Sequence, residues 1–182
     1  MRDSVYLKKW LKKNATPTRY LFLSDDLKLL FPDIKPSNFK ALMFRMVKQG
    51  VLERICRGLY AYIDAIPHDG LLLFHVVNFL RNNHFNYLSL ETVLSQGGVI
   101  SQIATDKINV MTSGRTYRQM VGKYGIIEFI HTDKKPINLI EDLDYDLNLK
   151  IWVASIKLAI EDMKNTHRNL DLIDWEIAHE FI

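Results

Sequence analysis

Seven polar side chains between residues 35 and 57 are of types that bind anions and base edges: Lys35, Ser37, Asn38, Lys40, Arg45, Lys48 and Arg57. Most fall in a segment whose apolar residues, Phe39, Leu42, Met43, Met46 and Val47, recur at i, i+3, i+4, i+7 and i+8, which is one face of a helix. The opposite face then presents Ser37, Asn38, Lys40, Ala41, Phe44, Arg45 and Lys48. An amide such as Asn38 can pair with adenine and a guanidinium such as Arg45 with guanine, whereas Lys40 and Lys48 suit phosphates. Lys35, just ahead of the helix, can reach a phosphate, and a helix N-terminus favours an anion. Arg57 sits with Gly58 between two short apolar runs, placed to enter a minor groove or touch the flanking backbone. Any one of these cations alone reads equally well as part of a solvated face. Their grouping is what implies a double-stranded DNA ligand.

The flanking sequence supplies elements that would hold them. A first helix is expected from Ser4 to Lys13, with Tyr6, Leu7, Trp10 and Leu11 as its apolar stripe and Lys8, Lys9, Lys12 and Lys13 opposite. A short strand over Tyr20–Phe22 follows the Thr16-Pro17-Thr18 loop. Ser24 has the chemistry of an N-cap, with Asp25 and Asp26 in the first turn and Leu27, Leu29, Leu30 and Phe31 facing inward, and Pro32 ends that helix. The next helix starts near Ser37 and stops at Gly50, a natural C′ residue. Val51–Cys56 and Leu59–Ile63, joined at Arg57-Gly58, then read as a hairpin. Helix, tight turn, helix and basic-tipped hairpin is the order of a winged helix-turn-helix, whose second helix enters the major groove.

Charge agrees with this placement. Residues 1–62 hold 13 Lys and Arg against 5 Asp and Glu, a net of +8, and residues 63–182 hold 11 against 16, a net of −5; together they give the +3 of the chain. A basic half invites nucleic acid or an anionic surface, and an acidic half does not. The first helix, basic and amphipathic with Trp10, also admits a membrane-surface reading. Its stripe is narrow, however, and a three-helix domain needs it as core, so no membrane partner is expected. No run of about 18 uncharged apolar residues exists to span a bilayer, and the start of the chain lacks the apolar stretch of a secretory signal. The lone cysteine, Cys56, rules out an internal disulfide and fits a reducing cytoplasm.

Beyond a linker at Asp64–Asp69, helical patterns recur over Gly70–Arg81, Leu90–Gln96, Ser155–Lys164 and from Leu172 to the end. Ser89 reads as an N-cap and Gly97-Gly98 as a stop. Lys107–Thr112, Thr116–Val121 and Tyr124–His131 are expected to form an antiparallel meander with turns at Ser113-Gly114 and Gly122-Lys123. The fold class is therefore α+β, with a winged helix-turn-helix over residues 1–63 and a domain of helices and a small antiparallel sheet over 70–182. Thr112-Ser113-Gly114-Arg115 could hold a phosphate through amides, hydroxyls and a guanidinium; equally, Gly114 could simply make a turn. Ser113, Arg115 and Arg118 are candidates for a second nucleic-acid contact.

No enzyme is read in this chain. His68, His75, His84, His131, His167 and His179 show no metal-ligand spacing, and His75 lies in an apolar helix as a core residue. Gly-rich phosphate loops and the G-x-S-x-G and H-E-x-x-H motifs are missing. The acidic run Glu141–Asp146 lacks the glycine and terminal Glu of a calcium loop. No catalytic residue, metal or cofactor is expected.

Two segments carry a family resemblance. Tyr87-Leu88-Ser89-Leu90-Glu91-Thr92-Val93-Leu94-Ser95-Gln96-Gly97-Gly98-Val99-Ile100, followed by Met111-Thr112-Ser113-Gly114-Arg115-Thr116-Tyr117, resembles the AbiEi antitoxins of bacterial type IV toxin–antitoxin systems. Arg57-Gly58-Leu59-Tyr60 stands at the expected distance upstream. Ala154-Ser155 leading into Lys157-Leu158-Ala159 is similar to a further motif of that family, without its usual Pro-Glu and one residue short. The resemblance spans roughly residues 20 to 165. It implies a winged N-terminal domain that binds inverted repeats in its own promoter and represses its operon. It also implies a C-terminal domain that counters a nucleotidyltransferase-type toxin without a stable complex. Two other functions fit the same residues: a winged-helix regulator whose second domain senses a ligand or dimerises, and a protein-interaction adaptor.

Overall fold

The computed structural model describes residues 2–101 and 106–182. The chain divides into two compact units, one through Gly70 and one from Leu71, and is a mixture of helices and two sheets.

The first unit begins with α1 (Arg2–Asn14), which buries Leu7 and Leu11 and leaves Lys8, Lys9, Lys12 and Lys13 exposed. Its aromatic residues also serve the core: the Trp10 ring meets Phe22 edge-on at 5.8 Å and Tyr6 meets Phe31 at 5.6 Å. Three strands, β1 (Leu21–Leu23), β2 (Leu52–Cys56) and β3 (Leu59–Tyr62), form an antiparallel sheet in the order β1-β3-β2. Between β1 and β2 lie α2 (Ser24–Lys28) and α3 (Pro36–Lys48). The exit from α3 follows from local chemistry. Gly50 takes a left-handed backbone (φ +69°), the Val51 N–H donates to Met46 O at 3.0 Å and the Gly50 N–H to Val47 O at 3.0 Å. These are the two bonds of a Schellman cap, and they turn the chain directly into β2.

Several local expectations are corrected. Ser24 is the first residue of α2, not its cap; Leu23 holds the cap position, and the Ser24 N–H donates to Gly58 O at 2.8 Å. The hairpin thus satisfies the N–H of the first helical residue, and Leu23 supplies no side-chain cap. Leu29 is 79 % exposed instead of buried, because α2 stops at Lys28 and helical spacing no longer applies to it. α3 starts at Pro36, with Lys35 in the extended cap position; proline suits the first helical position because its missing N–H would have had no helical partner. Val47 is half-buried.

The second unit is built on a six-stranded sheet. In chain order its elements are α4 (Leu72–Leu80), β4 (Asn86–Leu88), α5 (Leu90–Gln96), β5 (Lys107–Thr112), β6 (Tyr117–Val121), β7 (Gly125–His131), β8 (Leu143–Asp146), β9 (Ile151–Ala154), α6 (Ile156–Asn165) and α7 (Trp175–Ala178). The strand order is β6-β7-β5-β4-β9-β8. Tyr87 of β4 reaches Asp162 of α6, and Asn109 of β5 meets Thr92 of α5, so α5 and α6 cover one face. Arg81, at the end of α4, lies over Tyr117 and Phe129, whose side chains alternate to the other face.

The expected antiparallel meander is not formed. β5 pairs in parallel with β7, and only β6 and β7 make the predicted hairpin about Gly122-Lys123. β5 is buried along nearly its whole length and takes a neighbour on each edge, β4 and β7, which displaces β6 to the rim. Ser113–Thr116 therefore cross over the end of β7 instead of closing a tight turn. The sheet is mixed, not purely antiparallel. The final helix is also shorter than expected: a 3-10 turn at Leu170–Leu172 precedes the one-turn α7, which Asp174 caps. Ser89 does occupy the cap position of α5, but its hydroxyl donates to the buried Asp162 at 2.7 Å. Leu90, the next residue, has φ +57°, which breaks the ordinary cap geometry.

Candidate nucleic-acid interface

On α3 the buried residues are Phe39, Leu42, Met43 and Met46. At helical spacing, Ser37, Ala41, Phe44 and Lys48 run down the centre of the opposite face, flanked by Lys40 and Arg45, with Asn38 at its edge. All seven are exposed. Phe44, 69 % exposed, is a large apolar side chain standing among cations. The side chains of Lys40, Arg45 and Lys48 form no hydrogen bond or ion pair among the described residues. Their charge is therefore available to an external anion.

The start of α3 is less favourable to anions than expected. Lys35 and Asn38 line a groove of about 480 Å³ together with Asp3, Phe31, Pro32, Asp33 and Ile34. Two carboxylates there oppose the Lys35 charge and the helix N-terminus. The positive centre shifts along the helix toward Lys40, Arg45 and Lys48. Arg57 is exposed at the hairpin tip beside Gly58, whose φ of +79° is the conformation such a turn requires. The register slips between Arg54 and Cys56, a bulge that bends the tip. Arg54, which sequence reasoning passed over, is exposed there and donates through Nε to Cys56 O at 3.4 Å. The Cys56 thiol is mostly covered; burial pushes its pKa up against the lowering effect of Arg54.

The three candidates in the second unit separate. Arg118 is 71 % exposed at its side chain, yet its guanidinium is committed: Nη2 and Nε donate to Glu128 Oε1 at 2.7 and 2.9 Å. It is a clamp on a buried carboxylate and not a free phosphate contact. Glu128 also accepts from Arg168 Nη2 at 2.8 Å and Asn109 Nδ2 at 2.9 Å, with Lys107 at 3.7 Å. Arg118 faces Glu128 directly across the β6–β7 hairpin, so counting outward from the Gly122 turn would have found the pair. Burial alone would raise the Glu128 pKa; the hydrogen bonds from Arg168 and Arg118 and the charges of Arg168 and Lys107 outweigh it and hold the carboxyl below its ordinary value of 4.5. A depressed carboxyl stabilises the fold fully above its unfolded pKa and progressively less as pH falls through the folded one. The urea midpoint of the second unit is therefore expected to drop as pH falls below about 4.5. In Glu128→Gln it starts lower at neutral pH and changes less on acidification.

Ser113 and Arg115 do come together, in a pocket of about 640 Å³ with Arg81, His84, Gly114, Thr116 and His131. Sequence reading missed Arg81, His84 and His131, which only the β5–β6 crossover brings to this point. The acidic run proves to be engaged locally: Asp142 accepts from the Ser155 hydroxyl at 3.1 Å, and Asp146 accepts the Asn148 and Leu149 N–H groups at 2.7 and 2.9 Å. His75 is buried and its Nε2 bonds Asn148 O at 2.8 Å. Among the described residues, no helix is long and apolar enough to cross a membrane. No protein-family model matches this chain, and a search of curated proteins finds no similar sequence.

Proposed function

We propose that the first unit is a winged helix-turn-helix that binds double-stranded DNA, with α3 in the major groove and the β2–β3 hairpin as the wing. The observation that carries this reading is the open face of α3, whose Lys40, Arg45 and Lys48 are exposed and without acidic partners among the described residues. Helix order, the Schellman turn into the hairpin and the local excess of cations support it. In this reading Arg45 addresses guanine and Asn38 adenine, Lys35, Lys40 and Lys48 hold phosphates, and Arg57 reaches the minor groove or flanking backbone. Phe44 and Ala41 supply the apolar contact that a thymine methyl accepts. The test is an anisotropy titration of the full chain with duplex DNA from upstream of its own coding region, across a salt series. About five phosphate contacts give a slope of log K against log salt near −4 to −5. Binding that does not respond to salt refutes the reading.

The resemblance of the Tyr87–Ile100 and Met111–Tyr117 segments extends the proposal. The chain acts as an autorepressor on inverted repeats and as an AbiEi-type antitoxin that counters a nucleotidyltransferase-type toxin without a stable complex. Co-expression with a toxin of that type encoded alongside it is expected to restore growth; failure by a folded, expressed protein rejects the antitoxin role. A second reading, a DNA-binding regulator whose second unit senses a ligand, is favoured by the pocket around Gly114.

A further inference from the structure

Gly114 has no need of its backbone freedom; it is small because of what stands beside it. A Cβ at this position would lie 2.1 Å from Arg81 Nη1 and 3.2 Å from the His84 ring. The crossover thus lets a guanidinium and an imidazole close over the chain. Arg81 is fixed in place: its guanidinium lies 5.1 Å from the Phe129 ring centre and 5.6 Å from that of Tyr117, and Nη2 donates to Arg115 O at 2.8 Å. Neither Arg81 nor Arg115 faces a carboxylate among the described residues. His131 places Nδ1 2.8 Å from Gly114 O and Nε2 3.0 Å from Asp133 Oδ1. With an acceptor at each nitrogen, the ring is stabilised in its doubly protonated, cationic form. Asp133 is exposed and is the acidic group on this rim.

The two hydroxyls complete the picture. Ser113 Oγ accepts the Phe85 N–H at 3.1 Å, and Thr116 Oγ1 accepts the His131 N–H at 3.0 Å. Each oxygen is held by a backbone donor, and each hydroxyl proton remains without an acceptor among the described residues. The walls therefore offer two guanidinium groups, the His84 imidazole and two hydroxyl donors, while both nitrogens of His131 are already taken by Gly114 O and Asp133. That is a donor set matched to a compact, multiply charged oxyanion. The volume of about 640 Å³ exceeds what a bare anion fills and suits a small organic ligand.

We propose that this pocket binds a phosphate monoester of nucleotide size, its terminal phosphate held by Arg81, Arg115 and the hydroxyls of Ser113 and Thr116, with the ring of His131 alongside. The proposal is independent of what the first unit binds, since every group belongs to the second. The test is amide NMR on the full chain in a phosphate-free buffer, titrated separately with inorganic phosphate, adenosine 5′-monophosphate and adenosine. The monophosphate is expected to shift the amides of Ser113–Thr116 and His131, to bind more tightly than inorganic phosphate, and to lose its effect when the phosphate is removed. Gly114→Ala, which pushes Arg81 and His84 aside, is expected to weaken binding about tenfold or more. Arg115→Gln, a surface change that leaves the fold alone, is expected to weaken it about fivefold or more. Lys40→Gln, Arg45→Gln and Arg57→Gln together are expected to leave it unchanged. The absence of localised shifts at about 20 mM monophosphate, where even a single weak charge-assisted site fills, overturns the proposal. So does equal binding of adenosine, or undiminished binding by both pocket variants.

Discussion

Replacing Lys40, Arg45 and Arg57 together with glutamine is expected to lower duplex affinity about 100- to 1,000-fold and to make the salt slope shallower by about 2. Each term has a separate physical source. A guanidinium bidentate to guanine contributes about 1–3 kcal/mol of discrimination, and each lost phosphate contact removes a counterion-release increment of about 0.9 from the slope. The stability of the first unit should be almost untouched, because all three side chains are exposed and have no bonded side-chain partners among the described residues; surface changes of this kind stay within about 0.5 kcal/mol. The result is therefore readable as binding and not as unfolding. The single change Arg45→Gln should relax preference at one base pair, whereas Lys40→Gln should weaken all sequences alike. If the triple variant keeps both affinity and slope, α3 and the hairpin tip are not the groove-reading surface.

The largest stability effect is expected at Asp162. Its carboxylate, only 1 % exposed, accepts from Ser89 Oγ at 2.7 Å, Tyr87 Oη at 3.1 Å and Lys134 Nζ at 2.8 Å. Burial, followed by the nearby Asp162 charge, drives the Tyr87 phenol well above its usual pKa, so it stays protonated and donating. Asp162→Ala leaves two buried hydroxyls without their acceptor and strips a half-buried ammonium of its close partner. Removing one member of such a buried set costs about 3–5 kcal/mol, which lowers the melting temperature of the second unit by roughly 13–20 °C. Asp162→Asn keeps one carbonyl acceptor and should fall between. A melt of Asp162→Ala within about 2 °C of the parent would show that the network contributes little.

Legibility in the sequence differed between the two halves. The helical face of Phe39, Leu42, Met43 and Met46 and the Gly50 stop were readable because local periodicity and cap chemistry decide them. Ser24 was misread because the helix begins one residue earlier than expected, with Leu23 at the cap and the Ser24 N–H held by Gly58 O, a partner far along the chain. In the second unit β5, β6 and β7 lay close to where alternation placed them, but β4, β8 and β9 were not foreseen, β8 falling in the acidic run, and the strand order did not follow the chain. Nothing local distinguishes a Ser-Gly hairpin turn from a crossover that skips a strand. The misassigned role of Arg118 and the missed group of Arg81, His84 and His131 both follow from that topology.

The bulge beside Arg57 has a chemical consequence. Cys56 is the only sulfhydryl of the chain, and it sits buried at the end of β2, next to the hairpin tip. A thiol-modifying reagent gains it chiefly when the hairpin loosens. The rate of labelling is thus an internal clock for the first unit alone, running without any engineered reporter, and it would slow whenever a bound partner clamps the hairpin shut.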